Sequence, residues 1–193
     1  MRVLFLDASR GVSARGLADA LSGMGAASRV AEAVASLGLP DDPLSGALVG
    51  PRDVTALLAR ADLGEPARRL AADAMGRLLL AEAMRTREAR RADAALEGRA
   101  LISFVGVAAA LEALGVERAV VSRVGVAAAP PPVVAELLAD WSGVVDLGAG
   151  ETDAPGAALL RALVDERSAG RPEPAWTGTP VRGQGALLGN VAP

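Results

Sequence analysis

The chain has 193 residues, 51% of them hydrophobic, and its 20 basic and 23 acidic side chains leave a formal net charge of −3. It holds no His, Cys or Tyr and every basic residue is Arg, which excludes imidazole bases, thiolates, phenols, Schiff-base amines and disulfides. The slight acidity speaks against a nucleic-acid footprint, and no uncharged stretch approaches the roughly 20 residues of a bilayer-spanning helix. Asp, Glu, Arg, Ser, Thr, Trp and backbone dipoles remain for chemistry, a set that suits hard cations at most.

Arg2 to Asp7 is a short apolar run closed by a carboxylate, the pattern of a buried strand. Gly11 and Gly16 bracket the loop after it, and Ser13 stands where it can cap a helix through Leu17 and Leu21. Gly23 to Gly25 breaks that helix. A second helix is predicted from Ser28 to Leu37, closed by Gly38 and a turn over Pro40 to Pro43. Arg52 to Arg60 predicts a short helix started at Pro51. The longest helical pattern runs from Glu65 to about Arg91 with Pro66 in its first turn. Leu70, Ala74, Leu78, Ala81 and Met84 form its apolar side, and its Arg-rich side is a solvated face.

Leu101 to Leu114 is almost wholly apolar, a buried helix or a strand entering one, and Gly115 stops it. Arg118 to Val126 is β-branched and predicts one strand. Pro130 to Pro132 permits a helix through Leu138, Gly143 to Asp146 predicts another strand, and Ala154 to Glu166 predicts a helix. From Ser168 the chain is rich in Gly and Pro and is expected to wrap the surface, adding an edge strand near Val181. Strands alternating with helices predict an α/β class: one layered domain, a small sheet flanked by helices, with helix exceeding strand. Residues 1–167 form that domain and residues 168–193 a C-terminal segment packed on it.

Six segments, in order, resemble the N-terminal domain of the nickel-insertion proteins that complete the nickel-pincer nucleotide cofactor of lactate racemase. They are Leu4 to Ser13, Pro51 to Leu58 with the helix to Ala83, Val105 to Glu117, Pro130 to Leu138, Pro155 to Leu160, and Gly183 to Val191. The resemblance implies that family's α/β fold. The departures fall on its metal chemistry. Where the family carries a His-x-His-Glu segment and then acids, this chain reads Ala92 to Ser103, with Arg99 and Ser103 at the acidic positions and Arg15 at a third. The family's C-terminal domain has no counterpart. A chelatase of imidazole and carboxylate ligands cannot work here unchanged, so no metal and no cofactor is expected.

Asp7, at the end of the first strand, is a candidate catalytic carboxylate, because ligands of open α/β sheets bind at the carboxyl ends of strands. Ser9 and Ser13 in the following loop are candidate substrate-binding groups at a helix N-terminus; the alternative is that Asp7 and Ser13 only cap the turn. Arg15, Arg99 and Ser103 are candidate substrate-binding residues whose replacement of acids favours an anionic group, or else reflects drift on an unused surface. Glu151 and Asp153 are the remaining candidate acid/base carboxylates, with ordinary helix capping as the alternative. Trp141 is either a core anchor or the wall of an apolar ligand cavity.

These residues lead to the expectation of a metal-independent small-molecule enzyme of secondary metabolism, catalysing cyclisation, isomerisation or elimination by shape, Arg and Ser hydrogen bonds and a carboxylate. The alternatives are a non-catalytic scaffold or regulatory subunit, or a diverged maturation accessory protein. The expected partner is a small organic substrate, with no nucleic acid and no membrane. A cytoplasmic location follows from the absence of a leader-like start. A homodimer is expected because Val105 to Leu114 and Val133 to Leu138 offer much apolar helix.

Overall fold

The computed structural model describes residues 2–39, 48–86, 96–141, 143–164, 166–167 and 186–190. Strand β1 (Arg2–Leu6) leads to helices α1 (Ala14–Leu21) and α2 (Ala27–Ser36), and β2 (Leu48–Val49) to α3 (Pro51–Arg60) and α4 (Glu65–Thr86). Then come β3 (Leu96–Glu97), α5 (Gly98–Ala113), β4 (Arg118–Val121), β5 (Val124–Val126) and α6 (Pro132–Leu137). The chain continues through β6 (Val145–Leu147), α7 (Ala154–Leu163), β7 (Glu166–Arg167) and β8 (Ala186–Asn190). It is a single α/β domain in which helix far outweighs strand. Among the described residues no helix is long and apolar enough to cross a membrane.

Alternation along the central strands divides the apolar side chains between two faces. Leu4, Leu6, Ala119 and Val121 join the helical core, whereas Val3, Phe5 and Val120 form a separate cluster. The main sheet has the order β7-β4-β1-β8. Its β1 runs parallel to β4, with Phe5 opposite Val120, and antiparallel to β8, with Leu4 opposite Leu188. An edge strand is formed by Ala186–Asn190, while Val181, near which one was expected, and the Pro40 turn lie outside the described residues.

Helix α5 is the axis of the core. Phe104, Val105, Val107, Ala108, Ala109 and Ala110 are all fully buried, so no polar stripe exists to reveal the helical period. It begins at Gly98, three residues before the apolar run, and α1, α2 and α4 surround it. Helices α1 and α2 are joined by a single π-turn over Ser22–Ala26 that Gly25 kinks with φ of 107°. On α4, Ala74, Leu78 and Ala81 are buried as expected, whereas Met84 and Leu80 are exposed. The solvated face of α4 carries the pairs Arg69–Glu65 at 2.9 Å and Arg77–Asp73 at 2.9 Å.

Two expectations need correction. The run Arg118 to Val126 is two strands, because after Val121 the chain exchanges partners: the Ser122 amide still donates to the Leu6 carbonyl, but Val124 donates to Val144. Strand β5 thus pairs with β6 in a second, parallel sheet. The last helix ends at Leu163, and Glu166 belongs to strand β7 instead. Much of the apolar surface of α5 and α6 from which a dimer was expected is buried within this chain, Val133, Val134 and Leu137 included.

Candidate functional site

The loop between β1 and α1 is threaded between two other segments, and four glycines make the passage possible. A Cβ on Gly11 would overlap the Glu151 carbonyl, one on Gly125 the Ser9 carbonyl, one on Gly150 the Arg10 backbone, and one on Gly156 the Val12 carbonyl. Gly11 also has φ of 96°, a conformation that only glycine adopts without strain. The close approach lets backbones pair: Glu151 donates to Arg10 at 3.1 Å and Asp153 to Val12 at 3.1 Å. Buried Thr152 completes the knot. Its hydroxyl accepts from the Val12 amide at 3.1 Å and donates to the Gly125 carbonyl at 2.7 Å.

The knot brings the first turns of α1 and α7 together. Ser13 caps α1 by accepting from the Gly16 amide at 3.0 Å. Asp153 serves both helices, accepting from Gly156 of α7 at 2.5 Å and from the amide of Ala14 at the start of α1. Desolvation by the packed helix ends pushes the Asp153 carboxyl above the ordinary carboxylate value, against the opposite pull of those two amides.

A cleft of about 700 Å³ opens at this junction. Ala14, Arg15, Ala18 and Asp19 of α1 line one wall, and Asp153, Ala154 and Pro155 close one end. Arg99, Ala100, Ile102, Ser103 and Gly106 of α5 line the second wall, with Glu97 just before that helix. Val30 and Val34 of α2 and Leu78 and Glu82 of α4 supply the rest. The N-terminal turns of α1, α5 and α7 thus meet at one cavity. At Gly106 a Cβ would sit 3.4 Å from Val30 Cγ1 and 3.7 Å from Ala18 Cβ, so the floor is shallow because small residues let α1, α2 and α5 approach.

Of the nine residues selected from the sequence, Arg15, Arg99, Ser103 and Asp153 line this cleft. Arg15 pairs with Asp19 at 3.8 Å on the exposed rim. Ser103 donates to the Arg99 carbonyl one turn back at 2.9 Å. The other five stand elsewhere. Asp7 is exposed on the far side of the loop, where it accepts from the Ser9 amide at 3.1 Å. The Ser9 hydroxyl and amide and the Ser122 hydroxyl hold its carboxyl below the ordinary value. Ser9 and Glu151 are exposed at the knot and Ser13 is engaged as a cap, so none of the three lines the cleft. Trp141 is 4% exposed and packs in the core beneath Arg161, whose guanidinium lies 5.4 Å from the ring centre. Asp7 and the Glu151 side chain therefore share no pocket with Ser103.

Three cleft carboxylates escaped the sequence reading: Asp19, Glu82 and Glu97. Asp19 follows Arg15 by one helical turn, and Glu97 lies within the diverged segment that contains Arg99, so a signal existed for both. Glu82 looked like part of a solvated face. The residues do not fit a nickel ion: the Arg99 guanidinium has no lone pair to donate, and Ser103 offers only a neutral hydroxyl. Among the described residues no three His, Cys, Asp or Glu side chains gather as a metal-binding group. No protein-family model matches the chain, nor does any curated protein or solved structure.

Proposed function

We propose that the cleft is the active site of a small-molecule enzyme that needs no metal, and that the chain retains a nickel-insertion-like fold from which the metal chemistry has gone. The observation that carries this reading is the convergence of Arg15, Arg99, Ser103 and Asp153 on one cavity of about 700 Å³, a volume ordinary for organic ligands. Arg15 and Arg99 offer hydrogen bonds to substrate oxygen atoms, and Ser103 offers a hydroxyl that donates or accepts. Asp153 is a cleft carboxyl held by amides of two helix ends, and desolvation raises it above the ordinary carboxylate value, so it is assigned the proton transfer. Cyclisation, isomerisation or elimination suits such a set, because shape and hydrogen bonds supply most of the rate.

The test is a thermal-shift screen of diverse small organic molecules, followed by mass spectrometry of each hit after incubation with the protein. Hits are expected to stabilise the native chain and not an Ile102→Trp variant, whose indole fills the cleft. Conversion of a hit by the native chain, lost in Asp153→Asn, supports catalysis. Stabilisation that Ile102→Trp leaves unchanged removes the cleft from consideration, and the scaffold reading then replaces it.

A further inference from the structure

We infer that the ligand of this cleft is an uncharged organic molecule with an apolar body that carries carbonyl and hydroxyl groups. The inference rests on the reading of the cleft as a small-molecule site and names what that site selects. Arg15 and Arg99 taken alone suggest an anion, but the lining formed by the described residues does not. Among the described residues, four carboxylates, Asp19, Glu82, Glu97 and Asp153, accompany the two guanidiniums, a formal excess of two negative charges. Opposing them are the N-termini of α1, α5 and α7, each worth about half a positive charge, or about 1.5 in all. The two contributions nearly cancel.

Much of this charge is also committed locally. Arg15 faces Asp19 across 3.8 Å, and the Asp153 carboxylate is bound by amides of α1 and α7. A ligand of either sign would bring a charge into a balanced site and lose its own hydration without a dedicated counter-charge. A neutral ligand suffers no such loss. Guanidinium donors match its carbonyl oxygens, and carboxylate acceptors match its hydroxyl hydrogens. The remaining walls are apolar: Val30, Val34 and Ile102 are half-buried on the cleft, above Leu78 and Gly106. They give an apolar body a surface to cover, where burial contributes about 25 cal/mol per Å².

Fluorescence titration of the full chain with three probes tests this: neutral Nile red, anionic 1-anilinonaphthalene-8-sulfonate and cationic dansylcadaverine. Nile red is expected to bind at least about tenfold more tightly than either charged probe, with a Kd unchanged within about twofold between about 20 mM and about 500 mM salt. Its affinity is expected to fall by at least about tenfold in Val34→Trp and in Ile102→Trp, each shown folded by circular dichroism. Tighter, salt-sensitive binding of a charged probe that the Trp variants abolish would overturn the neutral-ligand inference and leave the cleft standing. Binding of no probe, or binding that both Trp variants leave intact, would overturn the cleft itself and the inference with it.

Discussion

Gly125→Ala tests the glycine knot on which the site depends. The new methyl would fall on the Ser9 carbonyl and within 3.1 Å of the Gly11 amide, both backbone atoms that no side-chain rotation can move. Relief requires the loop after β1 to shift away from β5. That shift strains three hydrogen bonds: Gly125 to Ala8 at 2.8 Å, Thr152 to Gly125 at 2.7 Å and Val12 to Thr152 at 3.1 Å. Each is worth about 1 kcal/mol net, and residual overpacking adds about 1–2 kcal/mol, so the expected loss is about 4–5 kcal/mol. Equilibrium urea unfolding followed by circular dichroism measures it. Gly106→Ala is the control: its methyl meets Val30 and Ala18 at ordinary contact distance, and loss of helical glycine should stabilise by about 0.5–1 kcal/mol. A Gly125→Ala loss below about 1 kcal/mol at unchanged m-value would refute the threaded loop.

Other outcomes follow from the same structure. Asp153→Ala removes a cap from two helices and should cost about 1–2 kcal/mol, whereas Asp153→Asn, an equally good cap, should cost far less; urea unfolding of both variants at pH 7 decides. The folded Asp153 carboxyl holds its proton to higher pH than the unfolded one. Its contribution to stability is therefore complete below the ordinary value of 3.8 and is lost as pH rises through the raised folded value. Asp7 has the opposite sign: its contribution is present above 3.8 and is lost as pH falls through its lowered folded value. Acid titrations of Asp153→Asn and Asp7→Asn followed by circular dichroism should differ from the native curve in opposite directions. Phe104→Ala, at a fully buried position on α5, should cost about 3–5 kcal/mol by calorimetry or urea unfolding.

Local signals located the elements that have clear ends. Pro51, Pro155, Ser13 and Gly38 mark helix boundaries that the structure places within a residue or two of expectation. Errors came where a boundary depends on tertiary partners. Nothing in Arg118 to Val126 announces that the second half pairs with β6, because the cause lies in a loop more than a hundred residues earlier. The start of α5 at Gly98 was hidden for a different reason: from Phe104 to Leu111 the helix is buried all round, so its middle has no polar period from which to count back. Leu48–Val49 and Leu96–Glu97 form a ladder too short for any pattern to register.

The site was legible in proportion to how directly position along the chain sets position in space. Arg15, Arg99 and Asp153 each stand within two residues of a helix start, and a helix start is both readable from sequence and, in a parallel α/β layout, gathered at one edge of the sheet. Asp7 satisfied the same rule and still missed the cleft. The knot explains why. The loop after β1 turns sharply at Gly11, pinned by Gly125 on one side and Gly150 on the other, and this brings the start of α1, with Ala14 and Arg15, to the cleft beside Asp153 while leaving Asp7 and Ser9 outside. The acids of the cleft were harder to see: Glu82 stands among the charged residues of α4 that read as a solvated face, and Asp19 and Glu97 belong to no catalytic pattern of their own. Their arrival changes the electrostatic meaning of the two arginines. A charge that looks decisive in a linear motif is answered in three dimensions by residues that share no motif with it.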